Sequence, residues 1–117
     1  MIELLNLIDQ PGVIECSSIL RGKEVQVSSF PEQYKNHATI AKQSFNYIFA
    51  TAAKMKSKHD EAHLEIGDKR LSGFILKGDL ILVCLSAKDA NIQQVRKQAR
   101  QAHAKLLKDE LKEISQF

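Results

Sequence analysis

"AHLEIGDKRLSGFILKGDLILVCL", residues 62–85, holds three apolar runs separated by two Gly-Asp steps. In the first run Ala62, Leu64 and Ile66 alternate with His63 and Glu65, the period of a half-buried strand. "RLSGFIL" is apolar on both faces for much of its length, and "LILVCL" is apolar throughout. Gly67-Asp68 and Gly78-Asp79 supply turns between them, so the stretch predicts a meander of hairpins. A continuously apolar strand is buried on both faces. The strand holding Cys84 is therefore expected inside a sheet with helices on both sides.

Upstream, residues 33–56 contain neither Gly nor Pro. Ala38, Ala41, Phe45, Ile48, Phe49, Ala52 and Met55 recur at three- and four-residue spacing, the apolar stripe of a long amphipathic helix. A weaker second stripe, Ile40, Tyr47 and Thr51, gives this helix two surfaces to pack against. Before it, "VIECSSIL" and "EVQVSSF" read as two strands joined by Arg21, Gly22 and Lys23. "IELLNLIDQPG" reads as a short helix stopped by Pro11 and Gly12. Phe30, Pro31 and Tyr34 are expected to staple the start of the long helix rather than form an exposed patch. Downstream, Ile92, Val95, Ala99, Ala102 and Leu106 predict a final helix, with Asp89 as its N-cap and Leu111 and Ile114 continuing the apolar side.

The order is α-β-β-α-β-β-β-α, five mostly antiparallel strands with helices on both faces. It is expected to be a single domain over residues 1–117, a length that suits one core. Apolar residues make up 44% and charged residues 26%, an ordinary globular balance. No apolar run is long enough to cross a bilayer and no secretory signal is legible, so a cytoplasmic protein is expected. Cys16 and Cys84 lie in apolar segments, as reduced packing thiols do. The net charge of +3 permits an acidic partner without demanding nucleic acid. The basic residues of the last helix have no interleaved aromatics for base stacking, and their cations suit a helix C-terminal half.

His59 and His63 stand four apart. On one helical face they could share a zinc ion, but the helix has ended by about Lys58. On a strand, positions four apart are separated by roughly 13 Å, at about 3.3 Å per residue, and no third ligand stands at a recognisable spacing. No metal site is predicted. Neither GxxxxGK[ST] nor GxGxxG nor GxSxG occurs, so no nucleotide, cofactor or hydrolase chemistry is predicted. No nucleophile, base and orienting group can be assembled, and the chain is not expected to be an enzyme. The strand at Ala62–Ile66 is short, one-sided and charged on its other face, as edges that are solvated or shared tend to be.

"LIDQPGVIECSSILRGKEVQVSSF" and, above all, "LILVCLSAKDANIQQVRKQARQA" resemble the roadblock family, which includes dynein light chains. In that family an apolar strand ends in a small polar loop. An Ala-Asn-apolar step then opens a helix with a basic residue soon after. Ala90, Asn91, Ile92 and Arg96 stand at those positions. The resemblance covers nearly the whole chain and implies a profilin-like three-layer α/β/α sandwich. It also implies a homodimer joined edge to edge through the third strand, with the long middle helices side by side. Ala62, His63, Leu64, Glu65 and Ile66 would form the shared edge, and Ile40, Tyr47 and Thr51 would face the other helix. The resemblance further implies a regulator or scaffold for a small Ras-like GTPase, which some family members stimulate to hydrolyse GTP. Arg21 and Arg70 are the candidate contacts to such a partner. An adaptor without a GTPase, or a small-ligand sensor, are the other readings.

Overall fold

A computed structural model describes residues 2–76 and 79–115, with side chains described for residues 3–76 and 79–108. The elements are α1 (Ile2–Ile8), β1 (Cys16–Arg21), β2 (Glu24–Ser28), a 3-10 turn (Glu32–Tyr34), α2 (Lys35–Lys54), β3 (Glu61–Ile66), β4 (Lys69–Ile75), β5 (Leu80–Ala87) and α3 (Ile92–Ser115). They form the expected α-β-β-α-β-β-β-α order. The five strands make one sheet in the order β2-β1-β5-β4-β3, every pair antiparallel. The Gly67-Asp68 hairpin is present, with Ile66 opposite Lys69. Gly78 of the second expected turn, and the Leu111 and Ile114 side chains, lie outside the described residues.

Two cores sandwich the sheet. On one face Phe45, Phe49 and Ala41 of α2 cover Cys16, Leu20, Leu71, Ile81, Val83 and Leu85. On the other, Leu4, Leu5 and Ile8 of α1 and Val95, Ala99 and Ala102 of α3 cover Ile19, Phe74, Leu82 and Cys84. The β5 alternation sends odd positions to α2 and even positions to α1 and α3, which is why its sequence is apolar throughout. Gly73 of β4 lies directly under Phe45. A Cβ there would stand 2.8 Å from two atoms of the ring.

At the C-terminal end of α1, the Asp9 carboxylate accepts hydrogen bonds from the hydroxyls of Ser17 (2.5 Å) and Ser29 (2.6 Å), while the Ser17 N–H donates to Ser29 Oγ. One carboxylate thus ties the end of the first helix to the β1–β2 hairpin.

Several boundaries differ from expectation. β1 begins at Cys16 rather than Val13, because Gln10 and Ile14 close a tight loop around Pro11 and Gly12 first. β2 ends at Ser28, and Phe30 and Tyr34 pack half-buried against the α2-side core. The expected N-cap Asp89 is corrected to Asn91. The Asn91 Oδ1 accepts the Gln93 N–H at 2.9 Å, satisfying one of the free donors of the first turn of α3. Met55, expected in the buried stripe, is 75% exposed. The helix ends at Lys54, so Met55 is its C-cap and points away from the core.

That C-cap is unusual. The Ser57 N–H bonds to Ala52 O at 2.9 Å and the Lys56 N–H to Ala53 O at 3.1 Å, the paired bonds that close a helix around a left-handed residue. The left-handed position is held by Lys56, φ 56°, where glycine is the usual occupant. Lys56→Gly is therefore expected to stabilise the protein by about 0.5–1 kcal/mol, read as a rise in Tm. Lys56→Ala keeps the Cβ and is expected to leave Tm essentially unchanged.

Candidate self-association edge

β3 is at the end of the sheet with only β4 beside it. Hydrogen bonds to β4 alternate along an antiparallel strand. The Ile75 N–H donates to Asp60 O at 2.9 Å, so the even positions 60, 62, 64 and 66 are turned to β4. The backbone N–H and C=O of Glu61, His63 and Glu65 are turned outward. The β3–β4 register runs without interruption from Glu61–Phe74 to Ile66–Lys69. The opposite edge, β2, is different. Its register shifts between Ile19, opposite Val27, and Leu20, opposite Val25, leaving Gln26 as an extra residue. Such a bulge spoils an edge for further pairing. Of the two sheet edges, only β3 offers a regular ladder.

The side chains of β3 divide by face. Ala62, Leu64 and Ile66 are half-buried against the α2-side core. On the α3 side, His63 Nε2 and Glu61 Oε2 lie 2.6 Å apart, and His63 Nδ1 lies 2.8 Å from Ser72 Oγ. Arg96 of α3 donates from Nε to the same Glu61 Oε2 at 2.7 Å. Burial pushes the Glu61 carboxyl up. The hydrogen bonds from His63 and Arg96, with the charges behind them, outweigh burial and hold it below its ordinary value. Glu65 is exposed, 3.8 Å from the Lys88 ammonium. His59 and His63, four apart in sequence, are engaged separately: His59 contacts Ser57 Oγ, and His63 contacts Ser72 and Glu61. Among the described residues no group of three or more His, Cys, Asp or Glu could hold a metal ion.

α2 supplies the flank above this edge. Asn46 donates from Nδ2 to Gly22 O at 2.8 Å, which fixes that side of the helix over the β1–β2 hairpin. At roughly 100° per residue, Ile40, Tyr47 and Thr51 fall on the outer, opposite flank, toward β3. Ile48, nearer the core on that flank, packs against it beside Ala62 and Leu64. Tyr47 is 74% exposed, and Ile40 is also exposed. Ile40 and Tyr47 of the expected stripe thus stand open to solvent on the flank toward the free strand, and Thr51 is half-buried.

The two candidate arginines are not brought together. Arg21 lies where β1 pairs with the Leu80 end of β5 and is exposed, 3.6 Å from Asp79. Arg70 lies near the Ser86 end. Its guanidinium donates to Lys88 O and to Ala90 O, the latter at 3.0 Å, and so holds the loop before α3. Neither partner of Arg70 is legible in sequence, because both are carbonyls of an unremarkable loop. The cysteines are buried. Burial, then the nearby carboxylates Asp9 and Glu15, push the Cys16 thiol up to about 12, and burial pushes Cys84 upward too. A thiol that stays protonated is a poor nucleophile.

The sheet order and the placement of α2 on one face and of α1 and α3 on the other make a fold that matches solved roadblock/LC7 domains. Three solved structures carry the comparison. A roadblock/LC7 domain from Streptomyces avermitilis superposes with a TM-score of 0.76 at 10% identity, covering 95% of this chain and 98% of that one. Myxococcus xanthus MglB gives 0.73 at 14% identity, covering 94% and 96%. An MglB with a tetrameric arrangement gives 0.66 at 15% identity, covering 87% and 81%. No protein-family model and no curated protein sequence matches the chain.

Proposed function

We propose that this chain is a member of the roadblock family and acts, without catalysing a reaction itself, as a homodimeric regulator or scaffold for a small Ras-like GTPase. The observation that carries the reading is the regular, unpaired β3 edge set beside an exposed apolar helix flank. That combination is a surface prepared for a second sheet and a second helix together. The sequence resemblance across nearly the whole chain supports it. So does the description of one similar fold, MglB, in a tetrameric arrangement. In this reading Ile40, Tyr47, Thr51 and Ala62 to Ile66 form the dimer interface, and Arg21, exposed beside Asp79, is the arginine that reaches the GTPase. Arg70 contributes by shaping the loop before α3. The dimer orders the switch segments of the GTPase and so favours hydrolysis of GTP, since the ordering of those segments controls the reaction. Among the described residues no helix is long and apolar enough to cross a membrane, and we place the protein in the cytoplasm.

The test is size-exclusion chromatography with light scattering, on the protein alone and with a Ras-like GTPase from the same cell. A dimer that moves into a larger complex with the GTP form and not the GDP form is the expected result. A dimer indifferent to every such GTPase would make the protein an adaptor within some other assembly.

A further inference from the structure

The outward backbone groups of β3 belong to Glu61, His63 and Glu65, and this parity restricts how a second copy can join. Resting on the homodimer reading above, we propose that two β3 strands pair antiparallel with Leu64 on the two-fold axis, so that each His63 stands opposite the partner's Glu65.

In an antiparallel pair the two residues that exchange hydrogen bonds must both face the junction. Here both are odd-numbered, so the numbers of opposed residues sum to an even value and a residue, not a gap, sits on the axis. With His63 on the axis, positions 61–65 of Glu61–Ile66 are paired; with Leu64 there, positions 62–66 are. Placing Ala62 or Glu65 on the axis pairs only 61–63 or 64–66. Two registers therefore compete.

The side chains separate them. With His63 on the axis, Glu61 lies opposite the partner's Glu65 at both symmetric positions, His63 meets its own copy, and Ala62 faces the partner's Leu64. With Leu64 on the axis, His63 meets the partner's Glu65 twice. On the α2 face two leucines meet at the axis, and each Ala62 lies opposite the partner's Ile66, small against large. Opposed unlike charges and apolar pairs stabilise a sheet, and like charges directly opposite destabilise it. The His63-centred register closes one more backbone pair, between Glu61 and Glu65. Those groups are well solvated at a strand end, so the net gain from bonding them is small. Of the groups around His63, Glu61, on its own strand, is already shared with Arg96 of α3, and Ser72 and Phe74 of β4 are uncharged. Lys88 is an exposed surface partner of Glu65 at 3.8 Å, too weakly held to keep it from His63.

The experiment is oxidative cross-linking of two full-length variants, Leu64→Cys and His63→Cys, each with light scattering. Residues facing each other at a non-hydrogen-bonded pair lie about 4.5 Å apart at Cα, inside the range a disulfide spans. Cys16 and Cys84 are buried and take no part. The expected result is a covalent dimer from the Leu64→Cys chain and little from the His63→Cys chain. The reverse pattern overturns the register and leaves the homodimer standing. A non-covalent dimer that cross-links at neither site overturns pairing along β3. A monomer overturns the homodimer reading itself. Glu65→Lys, at an exposed position, gives an independent sign. It is expected to weaken the dimer roughly tenfold, because the carboxylate opposite His63 is lost at two symmetric positions. In the other register the lysine would meet Glu61 and tighten the dimer instead.

Discussion

Phe45→Ala is expected to cost about 3–5 kcal/mol, enough to lower Tm by roughly 10–20 °C in a domain of this size. The ring is fully buried at the centre of the α2-side core and stacks beside Phe49, with centroids 6.1 Å apart. On β4 the ring lies directly over Gly73, which has no side chain to offer. Removal of the ring therefore leaves a cavity that Gly73 cannot fill. The same geometry makes Gly73 intolerant in the other direction. A Cβ at 2.8 Å from the ring forces Phe45 or the helix to shift, and Gly73→Ala is expected to destabilise by about 1–3 kcal/mol. The two sites share one contact, so their effects are not additive. Gly73→Ala combined with Phe45→Leu is expected to be more stable than the sum of the separate losses. Thermal and urea unfolding of the four proteins closes the cycle. Additive losses would mean that α2 and β4 do not meet through this pair.

In the proposed homodimer, Tyr47→Arg is expected to leave only monomer at micromolar concentration while keeping the fold and its Tm as a monomer intact. Tyr47 is 74% exposed, so the isolated chain loses little packing. In a two-fold interface the substitution acts twice. A buried aromatic near the centre of an interface is commonly worth about 2 kcal/mol or more, at least about 30-fold in affinity, and the two new arginines repel across the axis. Thr39→Arg, on the flank of α2 that faces the β2 side, is the matched control and is expected to remain dimeric. Light scattering over a dilution series reads both. A Tyr47→Arg chain that stays dimeric would remove α2 from the interface.

The fold was legible because its decisive signals are local. Alternation in Ala62–Ile66, continuous apolarity in Leu80–Leu85 and the i, i+3, i+4 stripe of α2 each reflect one element's burial, and burial is what periodicity records. What was not legible depends on partners distant in sequence. Asn91 caps α3 rather than Asp89 because the β5 ladder runs on to Ala87, and the chain needs the following residues to turn. Met55 leaves the apolar stripe because the helix stops one residue earlier. Gly73 reads as a weak point in a strand, and only the structure shows that it makes room for a ring 28 positions away. For the site, the free edge of β3 was suggested by its charge pattern, but the outward parity of Glu61, His63 and Glu65 needed the hydrogen bonds to β4. The engagement of Arg70 with two carbonyls and of Arg96 with Glu61 left no trace in spacing, since charge pairs between separate elements have no period.

The extra residue in β2 bears on stoichiometry. A sheet with a usable ladder on both sides has two sticky ends, and copies of it add one after another into a ribbon with no natural stopping point. Gln26 puts one of those ends out of register. In the proposed homodimer a copy joined through β3 presents only its blunted side to the next arrival, so growth along the sheet would halt at two. On that reading the chain's valence for itself is set by a single inserted residue on the edge of the sheet opposite β3.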